Sequence, residues 1–313
     1  MIVVDLNPII TALREHLPPV VRWAGAVARR MRQFDISLDG HKLSGSANTD
    51  ALTLADLTVQ ELLVSALRDG PPVFRRCRLE AEESTGDLAR FASEGPYTIA
   101  LDPIDGTKAY RDRTGTGWAV LVNLRSVETV HYSLVFIPEQ GPHGAWVEAF
   151  DDRIACGPDD PDRPATEVLR SLPIVNPATR LDSKRIYLIG FQQADPDKAR
   201  AVTAAGLEGY TADELPGCIF DLFARGEFGG SLIHTPNVYD FPISLHLARL
   251  LGGDAVWVHN GRPGDFRDLW LDDRADMLRM PGIIAASHNR RTLETLCQLA
   301  RDWNPVRYAE PSQ

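Results

Sequence analysis

The hydrophobic pattern divides the chain into a helical opening, a run of strands, and a stretch in which strands and helices alternate. Asn7 followed by Pro8 predicts a helix N-cap with proline at the first helical position. Pro18 and Pro19 interrupt the pattern, and a second helix is predicted from Val20 to about Gln33. The segment from Phe34 to Asn48 is polar and contains glycine, which predicts a mobile loop or an irregular hairpin. Val59, Leu62, Leu63, Ala66 and Leu67 then recur along one side of a helix that starts near Ala55 and ends before Gly70-Pro71-Pro72.

Beyond this point the period shortens. Tyr97–Leu101, Trp118–Leu124, Val130–Ile137 and Ala145–Phe150 are short runs of β-branched and aromatic residues separated by turn signals, and each reads as a strand. Asp151 to Pro164 is dense in Asp, Pro and Gly, which predicts a surface excursion near a domain boundary. Strands follow at Ile186–Gly190, Ala255–His259 and Ile283–Ala285. Helices are predicted at about Pro196–Ala205, Cys218–Ala224, Phe241–Leu251 and Arg291–Trp303. The fold class is α/β, with an α+β part first and an α/β part after it. The expected division is an α+β domain over 1–155 and an α/β domain over 156–313.

Composition narrows the class. The chain has 313 residues, 44% of them hydrophobic and 24% charged, with a formal net charge of −10. That balance argues against a nucleic-acid or membrane-surface binder, which would carry a basic excess. Metal ions can still reverse the field locally, so an anionic substrate stays open. Cys77, Cys156, Cys218 and Cys297 are scattered without a C-x-x-C pair, as expected for reduced thiols rather than a disulfide or zinc framework. Met1 to Pro8 shows no basic stretch leading into an apolar one, and no apolar run approaches the roughly 20 residues of a membrane span. A cytoplasmic protein is the default expectation.

The strongest chemical signal is Asp102-Pro103-Ile104-Asp105-Gly106-Thr107, placed directly after the apolar run YTIAL. Pro103 cannot continue a ladder, so the strand is expected to stop there and present Asp102. Asp105 follows within reach of the same cation. Gly106 permits close backbone approach, and Thr107 opens a helix whose amides would face an anion. Two hard carboxylates in such a place suit Mg²⁺, which keeps coordination sites for phosphate and water. Taken alone, the motif reads as an ordinary turn with one capping carboxylate. Further acids shift the balance: Glu82 and Glu83 after Ala81, Asp50 and Asp56 around Thr53, and Asp240 before Phe241-Pro242. Singly, Asp56 and Asp240 read better as helix caps. It is their conjunction that points to a metal centre.

These motifs resemble the inositol monophosphatase superfamily of lithium-sensitive, metal-dependent phosphatases, over roughly Val20 to Ala286. The family pattern D-P-[IL]-D-[GS]-[TS] is met by Asp102 to Thr107, and its G-E-E by Ala81-Glu82-Glu83 with alanine for glycine. Its Asp-x-x-Thr-x-x-Asp is met by Asp50, Thr53 and Asp56. Its late W-D, twelve residues before a Gly-Gly pair, is met by Tyr239-Asp240 and Gly252-Gly253. The resemblance implies a layered αβαβα sandwich, in which 1–155 carries most metal ligands and 156–313 carries Asp240 and the substrate-selecting residues. It implies two or three Mg²⁺ ions held by Glu82, Asp102, Asp105, Asp240 and the Ile104 carbonyl, with lithium inhibitory. Thr107, with Glu82 or Asp56, would orient and deprotonate the attacking water. Backbone around Gly106 and Thr107, beside Asp105, would cradle the phosphate.

For the substrate, Lys108-Ala109-Tyr110 after Gly-Thr is closer to the Gly-Thr-Lys-Glu-Phe of the 3′(2′),5′-bisphosphate nucleotidase branch than to the Thr-Asn-Phe of the inositol branch. Ile233 stands where the inositol branch carries a cyclitol-binding glutamate. Lys108 is therefore a candidate contact to a second phosphate, and Tyr110 a candidate to stack on a base; each has a plain alternative, as a solvated lysine and a core aromatic. Tyr239 for tryptophan, and Phe241-Pro242-Ile243 for small residues, depart from the nucleotidase pattern. Arg111 and Arg113 read as an exposed charge cluster. The expected activity is hydrolysis of a small phosphorylated metabolite, leaning to 3′-phosphoadenosine 5′-phosphate, with an inositol or sugar phosphate as the alternative. A non-catalytic binding member of the fold is the competing class, and a homodimer is the family's common state. No H-E-x-x-H, G-x-S-x-G, G-x-G-x-x-G or P-loop pattern offers another chemistry.

Overall fold

The computed structural model describes residues 5–34, 36–38, 42–47, 49–215 and 218–308. Along them run helices α1 (Leu6–Met31) and α2 (Leu54–Asp69), strands β1 (Arg78–Ala81) and β2 (Thr98–Asp105), and the short helix α3 (Thr107–Asp112). Strands β3 (Ala119–Arg125), β4 (Val130–Ile137), β5 (Ala145–Phe150) and β6 (Arg153–Pro158) follow, then helix α4 (Ala165–Ser171). The rest comprises β7 (Arg185–Ile189), α5 (Asp195–Ala204), β8 (Glu208–Thr211), α6 (Ile219–Arg225), β9 (Gly230–His234) and α7 (Phe241–Leu250). It ends with β10 (Asp254–Trp257), β11 (Trp270–Asp272), β12 (Met277–Arg279), β13 (Ile283–Ser287) and α8 (Arg290–Ala300).

Strands β1 to β6 form one sheet in chain order, parallel only between β1 and β2. A second sheet has the order β10-β13-β9-β7-β8, and β11 pairs β12 as a small ribbon. The alternation of side chains along β3 explains the layering. Val120, Val122 and Leu124 face α1 and α2 in one core, while Ala119 and Leu121 face α6 and α7 in another. Those two helices also bury Ala255, Ile284 and Ala286 of the second sheet, whose far face (Ile186, Leu188, Leu232, Ile283) is covered by α5 and α8. The result is an αβαβα stack, as the resemblance implies.

Three expectations need correction. Pro18 and Pro19 do not interrupt a helix: α1 runs unbroken across them and starts at Leu6, with Asp5 as N-cap accepting from Asn7 N–H. Ile9, Leu13, Leu17, Val21, Ala24 and Ala28 make one buried stripe through the proline pair, and Glu15, whose carbonyl loses a partner to Pro19, is exposed to water. Packing of that stripe outweighs the lost hydrogen bonds. The excursion expected over 151–164 contains strand β6, hydrogen-bonded along β5. Of the loop expected over 34–48, residues 35, 39–41 and 48 lie outside the described residues. The described part pairs with the approach to α2, through Leu38 N–H to Leu52 O (3.1 Å) and Leu54 N–H to Ile36 O (3.0 Å).

The third correction concerns β2. Pro103 does not end it, because the strand continues to Asp105 through a register shift. Asp102 pairs Leu121 and Asp105 pairs Ala119, so three steps on β2 match two on β3. A proline, which has no N–H to give, is tolerated in such a bulge. In a regular strand, residues three apart point to opposite faces. The extra residue removes that offset and brings Asp102 and Asp105 to one side.

Candidate active site

The bulge delivers Asp102 and Asp105, and Asp240, at the start of α7, completes the group. One carboxylate oxygen from each lies within 4.8 Å of the others. The three line one wall of a cavity of about 360 Å³, together with Glu82, Ile104, Gly106, Thr107 and Lys108. Asp102 Oδ1 accepts the Ile104 N–H (3.0 Å), which fixes its side chain. Asp240 is positioned by Asn237, whose Oδ1 accepts the N–H groups of both Tyr239 (2.9 Å) and Asp240 (3.0 Å). Tyr239, where the family pattern has tryptophan, is buried; its hydroxyl accepts from Leu278 N–H and its carbonyl from Asn123 Nδ2. Glu82 follows β1 and reaches the cavity, while its neighbour Glu83 turns inward to Lys42 Nζ (2.8 Å). Gln60 on α2 pins this turn by donating to the Glu83 and Thr85 carbonyls and accepting from Glu83 N–H.

Burial and like charge act together here. Asp102 and Asp105 titrate well above the ordinary carboxylate range, first because they are desolvated and then because Glu82, Asp240 and, for Asp102, Asp105 repel a further negative charge. Asp240 is pushed up to about 6 by burial and by Glu82. Lys42, 3% exposed, sits beside Glu82 and Glu83; although burial alone would lower its pKa, the two carboxylates raise it. A cluster of buried oxygen donors whose mutual repulsion opposes their ionisation is the donor set of a hard divalent cation.

Asp56 carries both roles weighed for it. It closes a capping box at the start of α2, with Oδ2 accepting from Thr53 N–H (2.8 Å) and Thr53 Oγ1 (2.6 Å). Its Oδ1 lies 3.1 Å from Thr107 Oγ1, and that hydroxyl also donates to the Ile104 carbonyl at 2.7 Å. A hydroxyl has one proton, so Thr107 gives it either to Ile104 or to Asp56 and keeps lone pairs for another donor. Burial raises Asp56 to about 7, against the stabilising bond from Thr53. Gly106 adopts φ 84°, the left-handed turn between β2 and α3, which aims Thr107 into the cavity.

Several candidates are placed elsewhere. Tyr110 belongs to the core: it is 1% exposed, its hydroxyl donates to Ala28 O (2.7 Å), and its ring packs edge-on to Trp118, so it does not line the cavity. Lys108 does line it, paired with Asp213 (2.6 Å). Asp50 stitches the loop that carries Lys42, accepting from Ser44 N–H and Oγ and from Gly45 N–H. Arg111 pairs with Asp112, and Arg113 donates to the Arg32 and Phe34 carbonyls, outside the cavity. Lys42, Arg279 and Arg307 were not legible from local motifs: the first lies in a polar loop, and the others far along the chain from the carboxylates. Trp118 Nε1, in the cavity wall, is a buried donor with no acceptor among the described residues.

Comparison with known proteins agrees with this geometry. A model of the inositol monophosphatase family matches residues 13–152, which include Asp56, Glu82, Asp102, Asp105 and Thr107. A search of curated proteins finds no match. Among solved structures, the chain is similar to the extragenic suppressor protein suhB from Bartonella henselae, at 17% identity and a TM-score of 0.62, covering 94% of this chain and 100% of that one. It is similar to CysQ from Bacteroides thetaiotaomicron, described as a bacterial member of the inositol monophosphatase family, at 17% identity, TM-score 0.61, and 91% and 100% coverage. An IMPase/NADP phosphatase solved with Mg²⁺ and phosphate is similar at 15% identity, TM-score 0.63, and 96% and 95% coverage. At these identities the likeness speaks for the fold. The family match spans the part of the chain that carries Asp56, Glu82, Asp102, Asp105 and Thr107, so in this part the chain is similar to the inositol monophosphatase family. Over nearly its whole length it shares the fold of those solved structures.

Proposed function

We propose that this protein is a Mg²⁺-dependent phosphomonoesterase acting on a small phosphate ester. A nucleotide such as 3′-phosphoadenosine 5′-phosphate is the leading substrate, and an inositol or sugar phosphate is the alternative. The observation that carries the reading is the meeting of the Asp102, Asp105 and Asp240 carboxylates within 4.8 Å at a cavity wall. With Glu82 and the Ile104 carbonyl beside them, these residues would hold two or three magnesium ions, with lithium as an inhibitor. Bound there, magnesium would supply charge neutralisation at the phosphate and acidification of water.

What remains is done by the chain itself. Thr107, held between Ile104 and Asp56, orients the water and passes its own proton to Asp56 as it accepts one. The turn at Gly106 brings backbone close to the ester, and Lys108 at the rim attracts its charge. For the organic part of the substrate, Ile233, Tyr187, Leu215, Phe220, Phe241 and Met277 give the cavity an apolar side. Such a side suits a nucleobase better than a ring of hydroxyls, which would leave polar groups unpaired.

The test is phosphate release with Mg²⁺ and with EDTA from 3′-phosphoadenosine 5′-phosphate, 2′-, 3′- and 5′-AMP, inositol 1-phosphate, fructose 1,6-bisphosphate and sugar monophosphates. Mg²⁺-dependent release supports the chemistry, and the preferred ester decides between nucleotide and polyol. Folded protein that neither binds Mg²⁺ nor releases phosphate would overturn the reading in favour of a non-catalytic binding member.

A further inference from the structure

The cavity has a second charged end. Arg279 on β12 and Arg307 near the end of the described chain both line it, 4% and 9% exposed. They share one carboxylate: Asp272 Oδ2 lies 2.7 Å from Arg279 Nε and 3.6 Å from Arg307 Nε, and it also accepts the Tyr308 hydroxyl at 2.9 Å. Two guanidiniums against one carboxylate leave an excess positive charge in a buried place, which is costly without a counter-ion. The other titratable groups facing it offset the excess only in part, Asp240 of the carboxylate wall being within electrostatic reach of Arg279. His234 is held neutral, with a pKa lowered to about 4 by burial and by both arginines, while its Nε2 contacts Asn304 O. Asp195, within electrostatic reach of Arg307, spends Oδ1 on Phe191 N–H and is pushed up to about 6 by burial. Arg274, stacked on the Tyr308 ring, adds another cation.

The donors themselves are underused. Arg279 Nη1 donates to Thr235 O (3.1 Å), but Nη2 meets only the Met277 sulfur, a weak acceptor. Arg307 Nη1 donates to Thr235 Oγ1 (3.1 Å) and makes two longer contacts, to Gly190 O and His234 O, and Nη2 has no acceptor among the described residues. Thr235, which both arginines grip, has φ 45°, an outlying backbone for a β-branched residue. The pair is also tied to the carboxylate wall. Arg279 forms a backbone bridge with Asn237, the residue that positions Asp240.

From this we infer that Arg279 and Arg307 form a second anion-binding subsite, which takes another oxyanion of the same substrate while its scissile phosphate sits at the carboxylate wall. Two guanidinium forks in one recess match a phosphate, or a carboxylate, through paired N–H donors. The class of substrate is then a phosphate ester bearing a second anionic group. The inference rests on the phosphatase reading only for the scissile end, because the arginine pair needs no metal.

Two measurements test it separately. The first follows thermal unfolding of the EDTA-treated full-length protein with inorganic phosphate, against chloride and acetate at equal ionic strength. The second compares kcat/KM with Mg²⁺ for 3′-phosphoadenosine 5′-phosphate against 3′-AMP, and for fructose 1,6-bisphosphate against fructose 1-phosphate. The wild type should be stabilised by phosphate without metal, with acetate doing the same if carboxylates are accepted. It should also favour the bisphosphate of at least one pair by on the order of tenfold or more. Arg279→Met and Arg307→Gln should lose the stabilisation and shrink that ratio mainly through KM, with Arg279→Lys intermediate. Should the Met or Gln variant fail to fold, Arg279→Lys and the wild-type comparison decide. Turnover with no preference for a second anion, and no metal-free phosphate effect, would overturn the subsite and leave the phosphatase reading standing. Metal-free phosphate binding lost in the variants, without turnover of any ester, would keep the subsite and sink that reading instead.

Discussion

Replacing Asp102 by Asn should make the metal-free protein more stable while abolishing turnover. Asn keeps the size of Asp and an oxygen to accept the Ile104 N–H, so the change is close to a pure charge removal. The structure sets the magnitude. Carboxylate oxygens within 4.8 Å repel by about 3.5 kcal/mol per ionised pair at an effective dielectric of 20. Three such pairs exceed what the fold can carry, so at neutral pH and without metal the cluster takes up protons instead. For Asp102, whose folded pKa is raised, the penalty is absent at acid pH, grows as pH rises above the unfolded value, and saturates at the folded pKa. At pH 7 the limit is the work of holding a proton about three units above an unfolded pKa of about 3.9, or about 4 kcal/mol. Lys42 recovers part of this, since Glu82, Glu83 and Asp102 all act on it.

A gain of about 1–4 kcal/mol is therefore expected for Asp102→Asn in urea with EDTA, at an unchanged denaturant slope. With Mg²⁺ the gap should shrink by about 2–3 kcal/mol, and reverse where the gain in EDTA is smaller than that. A ligand at a hundred times its Kd stabilises the wild type by about 2.7 kcal/mol, and the variant should gain much less. A variant less stable than wild type in EDTA, or one stabilised equally by Mg²⁺, would refute the electrostatic account of the site.

Three further expectations follow from the same geometry. Thr107→Val removes a hydroxyl at constant volume and should lower kcat by about 10²–10⁴-fold, with Thr107→Ser recovering most of it in a steady-state assay. Gly106→Ala has room for its Cβ, 3.6 Å from the nearest Trp118 atom, but not the backbone freedom; denaturation should show a loss of about 1 kcal/mol, and turnover should fall as Thr107 shifts. His246, buried against Ser133 Oγ, has its pKa lowered to about 3 by burial, so the unfolded chain binds its proton first and stability drains as pH falls from about 6.5 towards 3. The stability gap between wild type and His246→Gln should accordingly narrow by about 3 kcal/mol from pH 7.5 to 4.5, and a constant gap would contradict the assignment.

The sequence was informative wherever chemistry and local pattern coincided. Strands β4 and β5 match their predicted spans because both faces are buried and the β-branched runs are unbroken. The carboxylate wall was readable because Asp102 and Asp105 lie on one short motif. Where tertiary packing overrides a local rule, the reading failed. Pro18 and Pro19 look like breakers until the stripe from Ile9 to Ala28 is seen buried, and Pro103 looks like a strand end until the bulge gives it a place. Strand β9, central to the second sheet, begins with Gly230 and Ser231, too small to signal a strand; yet a Cβ at Gly230 would lie 2.4 Å from the Ala286 carbonyl. Tyr110 shows the converse failure, because a motif position suggested a ligand contact that the core had already taken.

The central helical layer has a kinetic implication. Because α7 is buried from Phe241 to Ala248 and is wedged between both sheets, neither sheet can lose the other without exposing it. Asp240 opens that helix, whereas Asp102 and Asp105 end a strand of the opposite sheet. A chain that has formed only one half therefore owns only a fraction of the cation's ligands. Tight cation uptake should appear late in refolding, after the two sheets have docked, and amide exchange along α7 should require the whole molecule to open.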